Sequence, residues 1–134
     1  MSACVLDTDV VIAALDRSDS HHRAAAGGIR TMIEQQTPIL LSLVNYAETL
    51  VRPAEEERTL RLAVDAIAAL GIRLIAPTPA VAREAARLRS LNVSLADGFA
   101  MATARAHDAT LASFDRRVRR ALSRAGLERS PAFA

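Results

Sequence analysis

Carboxylates in this chain stand where an α/β protein builds its sites. The apolar run Ala3-Cys4-Val5-Leu6 ends in Asp7-Thr8-Asp9, two acids one residue apart. The stretch Ile39-Leu40-Leu41 leads into Ser42-Leu43-Val44-Asn45-Tyr46-Ala47-Glu48, Ser94-Leu95-Ala96-Asp97 opens another helix-like segment, and Ala109-Thr110-Leu111-Ala112 runs into Ser113-Phe114-Asp115. Asp7, Glu48 and Asp115 each follow an apolar run, and strands of a parallel sheet bring their C-terminal ends to one edge. Converging carboxylates repel: two unit charges ~5 Å apart cost roughly 3 kcal/mol at an effective dielectric near 20. Protonation relieves that repulsion, and so does a hard divalent cation with a preference for oxygen ligands. Such an ion lowers the pKa of bound water and stabilises charge on a phosphodiester in transit. The chemistry indicated is phosphodiester hydrolysis.

The elements that must position these acids alternate. Strands are expected near residues 3–6, 39–42, 72–75 and 109–112, with helices near 10–15, 21–36, 45–52, 54–70, 79–91, 95–107 and 116–124. A βα alternation predicts an α/β fold with a mostly parallel central sheet of four or five strands, covered by helices on both faces. Pro38 precedes the second strand, Pro53 separates two helices, Gly71 ends the long one, and Thr78-Pro79 reads as an N-cap followed by proline at the first helical position. The stretch after Gly126 is the candidate fifth strand, limited by Pro131.

The 134 residues, 51% hydrophobic, make one domain over 1–134 with enough apolar side chain for a core. The start carries acids at positions 7 and 9 and no basic lead-in, and no apolar run is long enough to span a bilayer. The expectation is a cytoplasmic protein without membrane partners. Cys4, the single cysteine, lies within the first apolar run and reads as a buried thiol. Net charge is +2, and all 17 basic residues are arginine. Arginine suits phosphate recognition, although a GC-rich codon bias also explains the missing lysines. Arg116-Arg117-Val118-Arg119-Arg120 reads equally as a track along a nucleic-acid backbone or as a solvated helix face. Without lysine, a haloacid dehalogenase-type phosphatase or a response-regulator receiver, both of which share an Asp-rich opening, lacks a needed residue. No Gly-Lys-Ser/Thr sequence is present for a P-loop.

Each acid also has a purely structural reading. Asn45-x-x-Glu48 and Ser94-x-x-Asp97 match capping boxes, and Asp9 and Asp115 could be N-caps. A macrodipole contact is worth only about 0.3–1 kcal/mol, less than the repulsion expected on convergence. His21 and His22 are adjacent and point apart on a helix, His107 stands near a helix end, and three histidines with one cysteine make a zinc site improbable. Tyr46 and Phe99 adjoin the acids and read as core more readily than as base-stacking surfaces.

The ordered set of segments resembles the PIN-domain nucleases, and within them the VapC-type toxins of toxin–antitoxin pairs. The resemblance rests on Asp7-Thr8-Asp9, Ser42 to Glu48, Leu95-Ala96-Asp97-Gly98-Phe99-Ala100-Met101-Ala102 and Leu111-Ala112-Ser113-Phe114-Asp115, and it covers the whole chain. It implies a single PIN-like domain with an acidic pocket for Mg²⁺ or Mn²⁺ and endoribonuclease activity on single-stranded RNA. Asp7, Glu48, Asp97 and Asp115 are then the catalytic acids. Asp7 and Asp97 are the direct metal ligands, while Glu48 and Asp115 hold metal, waters or a second ion. Thr8 and Ser113 stand where the family often has small hydroxyl residues that hydrogen-bond the carboxylates or a water. Asp9 replaces a frequent Asn or Ser, and Val118 a frequent aromatic. The resemblance further implies a homodimer and a cognate antitoxin that lies across the active-site groove. The alternative is a catalytically silent PIN-like domain that binds RNA or protein and keeps its acids as helix caps.

Overall fold

The computed structural model describes residues 2–133. Four strands, β1 (Cys4–Leu6), β2 (Ile39–Ser42), β3 (Arg73–Ile75) and β4 (Thr110–Ala112), form one sheet in the order β3-β2-β1-β4. Every pairing is parallel, with Val5 opposite both Leu40 and Leu111. Among the described residues seven α-helices accompany them: α1 (Thr8–Leu15), α2 (His22–Glu34), α3 (Leu43–Leu50), α4 (Glu57–Ala69), α5 (Pro79–Leu88), α6 (Leu95–Ala106) and α7 (Arg116–Ala121). The candidate fifth strand reduces to an isolated parallel bridge between Leu111 and Arg129. Pro131 has no N–H to extend a ladder, and it opens a short 3₁₀ turn, Pro131–Phe133, instead.

Alternation along the short strands feeds two cores, because successive side chains leave opposite faces of a sheet. Val5, Leu40 and Leu111 pack with Ala85 and Leu88 of α5, Met101 of α6 and Val118 of α7. Cys4, Leu6, Ile39, Leu41 and Ala112 pack with Val10 and Val11 of α1, Met32 of α2, Ile67 of α4 and Phe133. Burial on both faces explains why β1 and β2 are nearly continuous apolar runs, whereas the edge strand β3 carries Arg73 and is largely exposed. Cys4 is buried here, and burial raises its thiol pKa. Tyr46 and Phe99 are half-buried against the two cores, as expected of core aromatics.

The sheet order fixes where a site can form. From β1 the chain moves outward through β2 to β3, then returns past α5 and α6 to place β4 on the other side of β1. The direction of winding therefore reverses between β1 and β4, and the crevice beyond the C-terminal ends of those strands is the natural ligand position. Local punctuation delivers the chain there. Ser42 caps α3 through Val44 N, Thr78 caps α5 ahead of Pro79, and Gly71 leaves α4 at φ +73°, a conformation that costs glycine little.

Candidate active site

Asp7 leaves β1 and immediately caps α1. Its Oδ1 accepts the Thr8 N–H at 2.9 Å, and its Oδ2 accepts the Ser113 hydroxyl at 2.7 Å across the β1–β4 crevice. Only 2% of Asp7 is exposed. Asp9 lies in the first turn of α1, where its Oδ2 accepts the Phe114 N–H at 3.0 Å. Its Oδ1 is buried and has no partner among the described residues. Asp9 is thus not the cap it could have been; the chain enters α1 two residues earlier, and Asp7 takes that role.

Asp97 occupies the third position of α6 and forms the expected capping box: Ser94 Oγ accepts the Asp97 N–H at 3.1 Å, and Asp97 Oδ2 accepts the Ser94 N–H at 3.3 Å. Asp115 caps α7, its Oδ1 accepting from Arg117 N at 2.7 Å and Val118 N at 3.2 Å, while Ser113 Oγ accepts the Asp115 N–H at 3.1 Å. Capping and site roles are therefore compatible. Each cap engages one carboxylate oxygen and fixes the direction of the other. The second expected box fails. Helix α3 already begins at Leu43, so Asn45 lies inside it, fully buried, with its side-chain Nδ2 on Thr8 Oγ1 at 3.0 Å and on the Ala96 carbonyl at 3.1 Å. Glu48, one turn further along α3, stands exposed at the rim.

These acids meet. Asp7, Thr8, Asp9, Ile12, Glu48, Asp97 and Asp115 line one pocket of about 360 Å³ beyond the sheet edge. Ser113 stands behind it and ties Asp7 to the Asp115 backbone. Burial pushes the Asp7 carboxyl well above the usual carboxylate range, and the charges of Asp97 and Asp9 push it further, against the bonds from Ser113 and Thr8. Asp9 is raised to about 6, chiefly by burial and also by Asp115 and Asp97, against the Phe114 N–H. The electrostatic cost of convergence thus falls on the two acids at the β1–α1 corner.

Apart from Ile12 the side chains lining the pocket offer only oxygen donors, four of them acids besides the buried, unpartnered Asp9 oxygen, and such a donor set suits a hard divalent cation. Among the described residues no three acidic side chains are drawn tightly enough together to hold an ion by themselves.

The loop after β4 is held by contacts that local sequence does not reveal. The Phe114 ring stacks on His21 at 4.4 Å and 10°, meets Phe133 edge-on at 6.0 Å, and has the Arg119 guanidinium 5.9 Å from its centre. Arg119 Nε donates to the Ser113 carbonyl at 2.7 Å, so one arginine of the basic run is turned inward while Arg116, Arg117 and Arg120 are exposed. His22 turns the other way, its Nδ1 2.8 Å from the Ala13 carbonyl. A groove of about 620 Å³, lined by Ile12, Leu15, Val51, Pro53 and others, adjoins the acidic pocket and shares Ile12 and Glu48 with it.

A four-stranded parallel α/β sheet with an acid-lined pocket at its winding reversal defines a class of fold and site. The PIN domain family model matches residues 4–122, and the chain belongs to that family, one of nucleases that generally use divalent metal ions. No curated protein matches it significantly in sequence. Among solved structures, FitAcB from Neisseria gonorrhoeae superposes with a TM-score of 0.71 at 22% identity, over 97% of this chain and 98% of that one. VapC20 from Mycobacterium tuberculosis, a sarcin–ricin loop cleaving toxin, gives 0.70 at 19% identity, over 89% and 95%. VapBC2 from Rickettsia felis, bound to a DNA fragment from their promoter, gives 0.70 at 16% identity, over 88% and 92%. At these identities the likeness is one of fold.

Proposed function

We propose that this chain is a Mg²⁺- or Mn²⁺-dependent endoribonuclease acting on single-stranded RNA, and the toxin of a type II toxin–antitoxin pair in the cytoplasm. The observation that carries this reading is the shared pocket of Asp7, Glu48, Asp97 and Asp115, with the buried Asp7 carboxyl driven upward by Asp97 and Asp9. A purely structural set of helix caps gains nothing from being brought together. A site that awaits a cation does.

In this reading Asp7 and Asp97 hold the ion directly, with Asp115 and the exposed Glu48 completing the shell directly or through water. A divalent ion there supplies Lewis-acid charge for an attacking water and a scissile phosphate. The chain's own part is orientation. Ser113 and the Thr8 N–H fix both Asp7 oxygens, the capping box aims Asp97, and the Arg117 and Val118 amides aim Asp115. Exposed Arg116, Arg117 and Arg120 on α7, close to Asp115 in the chain, suit the backbone of an RNA strand.

The partner reading draws on the structural relatives, one of which is named as a toxin and another, from Klebsiella pneumoniae, as a toxin–antitoxin complex, and on the groove beside the pocket. Its apolar side chains, edged by Asp16, Glu48, Glu55 and Glu56, suit an antitoxin segment with apolar and basic residues that covers the acids. Exposed Leu62, Leu74 and Leu95, outside that groove, favour a homodimer.

The decisive experiment compares wild type with Asp7→Asn and Asp97→Asn on a 5′-labelled single-stranded RNA, with Mn²⁺ or chelator. Cleavage is expected only for wild type with metal, with all three proteins folded. Undiminished cleavage by either folded variant would defeat the assignment.

A further inference from the structure

Among the described residues Asn45 is the largest fully buried polar side chain, with 0% of its surface exposed, and it does not line the acid pocket. Its amide reaches two helices other than its own. The Ala96 carbonyl can only accept, so the amide nitrogen must face it, which fixes the orientation of the group. The same nitrogen donates to Thr8 Oγ1, and its two hydrogens are then both committed. Oδ1 is left buried and without a partner among the described residues. That is an uncompensated desolvation cost in a core position that an apolar residue would fill without it.

The positions of the two partners indicate what the cost serves. Thr8 directly follows Asp7, Ala96 directly precedes Asp97, and Asn45 sits on the helix that carries Glu48. One carboxamide therefore links the three helices that bring these acids together. It also settles the polarity of the Thr8 hydroxyl. With a lone pair of Oγ1 occupied by the Asn45 donor, the hydroxyl hydrogen is free to turn toward the pocket that Thr8 lines.

We propose that Asn45 is a positioning residue for the acid pocket: it fixes the helix of Asp97 against the corner of Asp7 and commits the Thr8 hydroxyl to act as a hydrogen-bond donor into the pocket. That hydroxyl donates to a water or a phosphate oxygen held there, and Asn45 acts through it. The inference rests on the metallonuclease reading given above.

The test measures Mn²⁺ binding by calorimetry on the full-length protein, together with melting in chelator and cleavage of the labelled RNA. The variants are Asn45→Ala, Thr8→Val, Thr8→Ser, the Asn45→Ala/Thr8→Val double and Asp7→Asn. Thr8→Val keeps the shape of the side chain and the Asn45–Ala96 bond, so it remains informative should Asn45→Ala fail to fold. Residues that orient metal ligands change affinity by about 10–100-fold. Thr8→Val and Asn45→Ala are each expected to weaken Mn²⁺ binding about tenfold, with Thr8→Ser close to wild type. The double variant should be no weaker than Asn45→Ala alone, the signature of residues acting as one unit. Thr8→Val binding Mn²⁺ as wild type does, or single effects that multiply in the double variant, would overturn the inference. Asp7→Asn separates the two levels. If it loses Mn²⁺ binding and cleavage while the Asn45 and Thr8 variants match wild type, only this inference fails; if it keeps both, the metallonuclease reading fails.

Discussion

Replacing Asp9 by Asn should stabilise the metal-free protein, and the gain should depend on pH in a defined direction. Asp9 is raised from its usual value of 3.8 to about 6, chiefly by burial. An acid with a raised pKa makes the folded state bind more protons than the unfolded chain between those two values, so stability falls as pH rises from about 4 to 6. A rise of about two units corresponds at most to about 3 kcal/mol of strain at neutral pH. Asn keeps an acceptor for the Phe114 N–H by placing its amide oxygen where Asp9 Oδ2 lies, but then puts an NH₂ where the unpartnered Asp9 Oδ1 lies. A buried donor without a partner returns about 1–2 kcal/mol of that gain. The net expectation is therefore about 1–2 kcal/mol of added stability at pH 7.5 in chelator. That is roughly 3–8 °C in Tm for a domain of this size. At pH 4, where Asp9 is almost wholly protonated in the folded state and roughly two-fifths protonated in the unfolded one, little of the strain remains and the advantage should vanish or reverse. Urea unfolding of both proteins in chelator at pH 4, 5, 6 and 7.5 measures this directly. A variant less stable than wild type at pH 7.5, or a difference that does not change with pH, would show that Asp9 carries no charge strain and that the pocket is less crowded than the geometry indicates.

Wild type should also gain from Mn²⁺ itself: at ten times its dissociation constant a ligand bound only to the folded state adds about 1.4 kcal/mol, a rise in Tm that Asp7→Asn should largely lose. In chelator Asp7→Asn should melt at or above the wild-type temperature, because Asn is as good an N-cap and carries no charge; a clear loss would mean the acid is structural. Gly98→Ala is expected to cost about 1–3 kcal/mol by overpacking, since its Cβ would lie 2.8 Å from the Ala85 carbonyl oxygen where α5 and α6 press together; differential scanning calorimetry checks it, and an unchanged Tm contradicts the packing account. The exposed apolar side chains of α3, α4, β3 and α6 lead us to expect a dimer in light scattering at micromolar concentration and a tighter complex with the product of a neighbouring antitoxin gene. A strict monomer counts against the first expectation, and failure to co-purify counts against the second.

Much of this protein is written locally. Strand runs such as Ala3 to Leu6 and Ile39 to Leu41 are apolar because both sheet faces are covered, and Gly71, Thr78-Pro79 and Ser94 mark turns and caps whose physics needs no distant partner. The acids were legible for the same reason: a carboxylate directly after a buried-type run declares itself within a few residues. What local sequence could not decide was partnership. Asn45-x-x-Glu48 has the pattern of a capping box, yet Ser42 had already capped that helix, and Asn45 finds its partners 37 and 51 residues away. Asp9 looked like a cap and instead accepts from Phe114, 105 residues on. The residues after Gly126 carried a strand's worth of chain, but only Arg129 bridges to Leu111 before Pro131 turns the backbone away. Short-range propensities fix elements because their hydrogen bonds close within one turn. The depth of the pocket, the load on Asp7 and Asp9, and the amide that joins three helices exist only once the sheet order brings β4 beside β1, and that order is a property of the whole chain's packing.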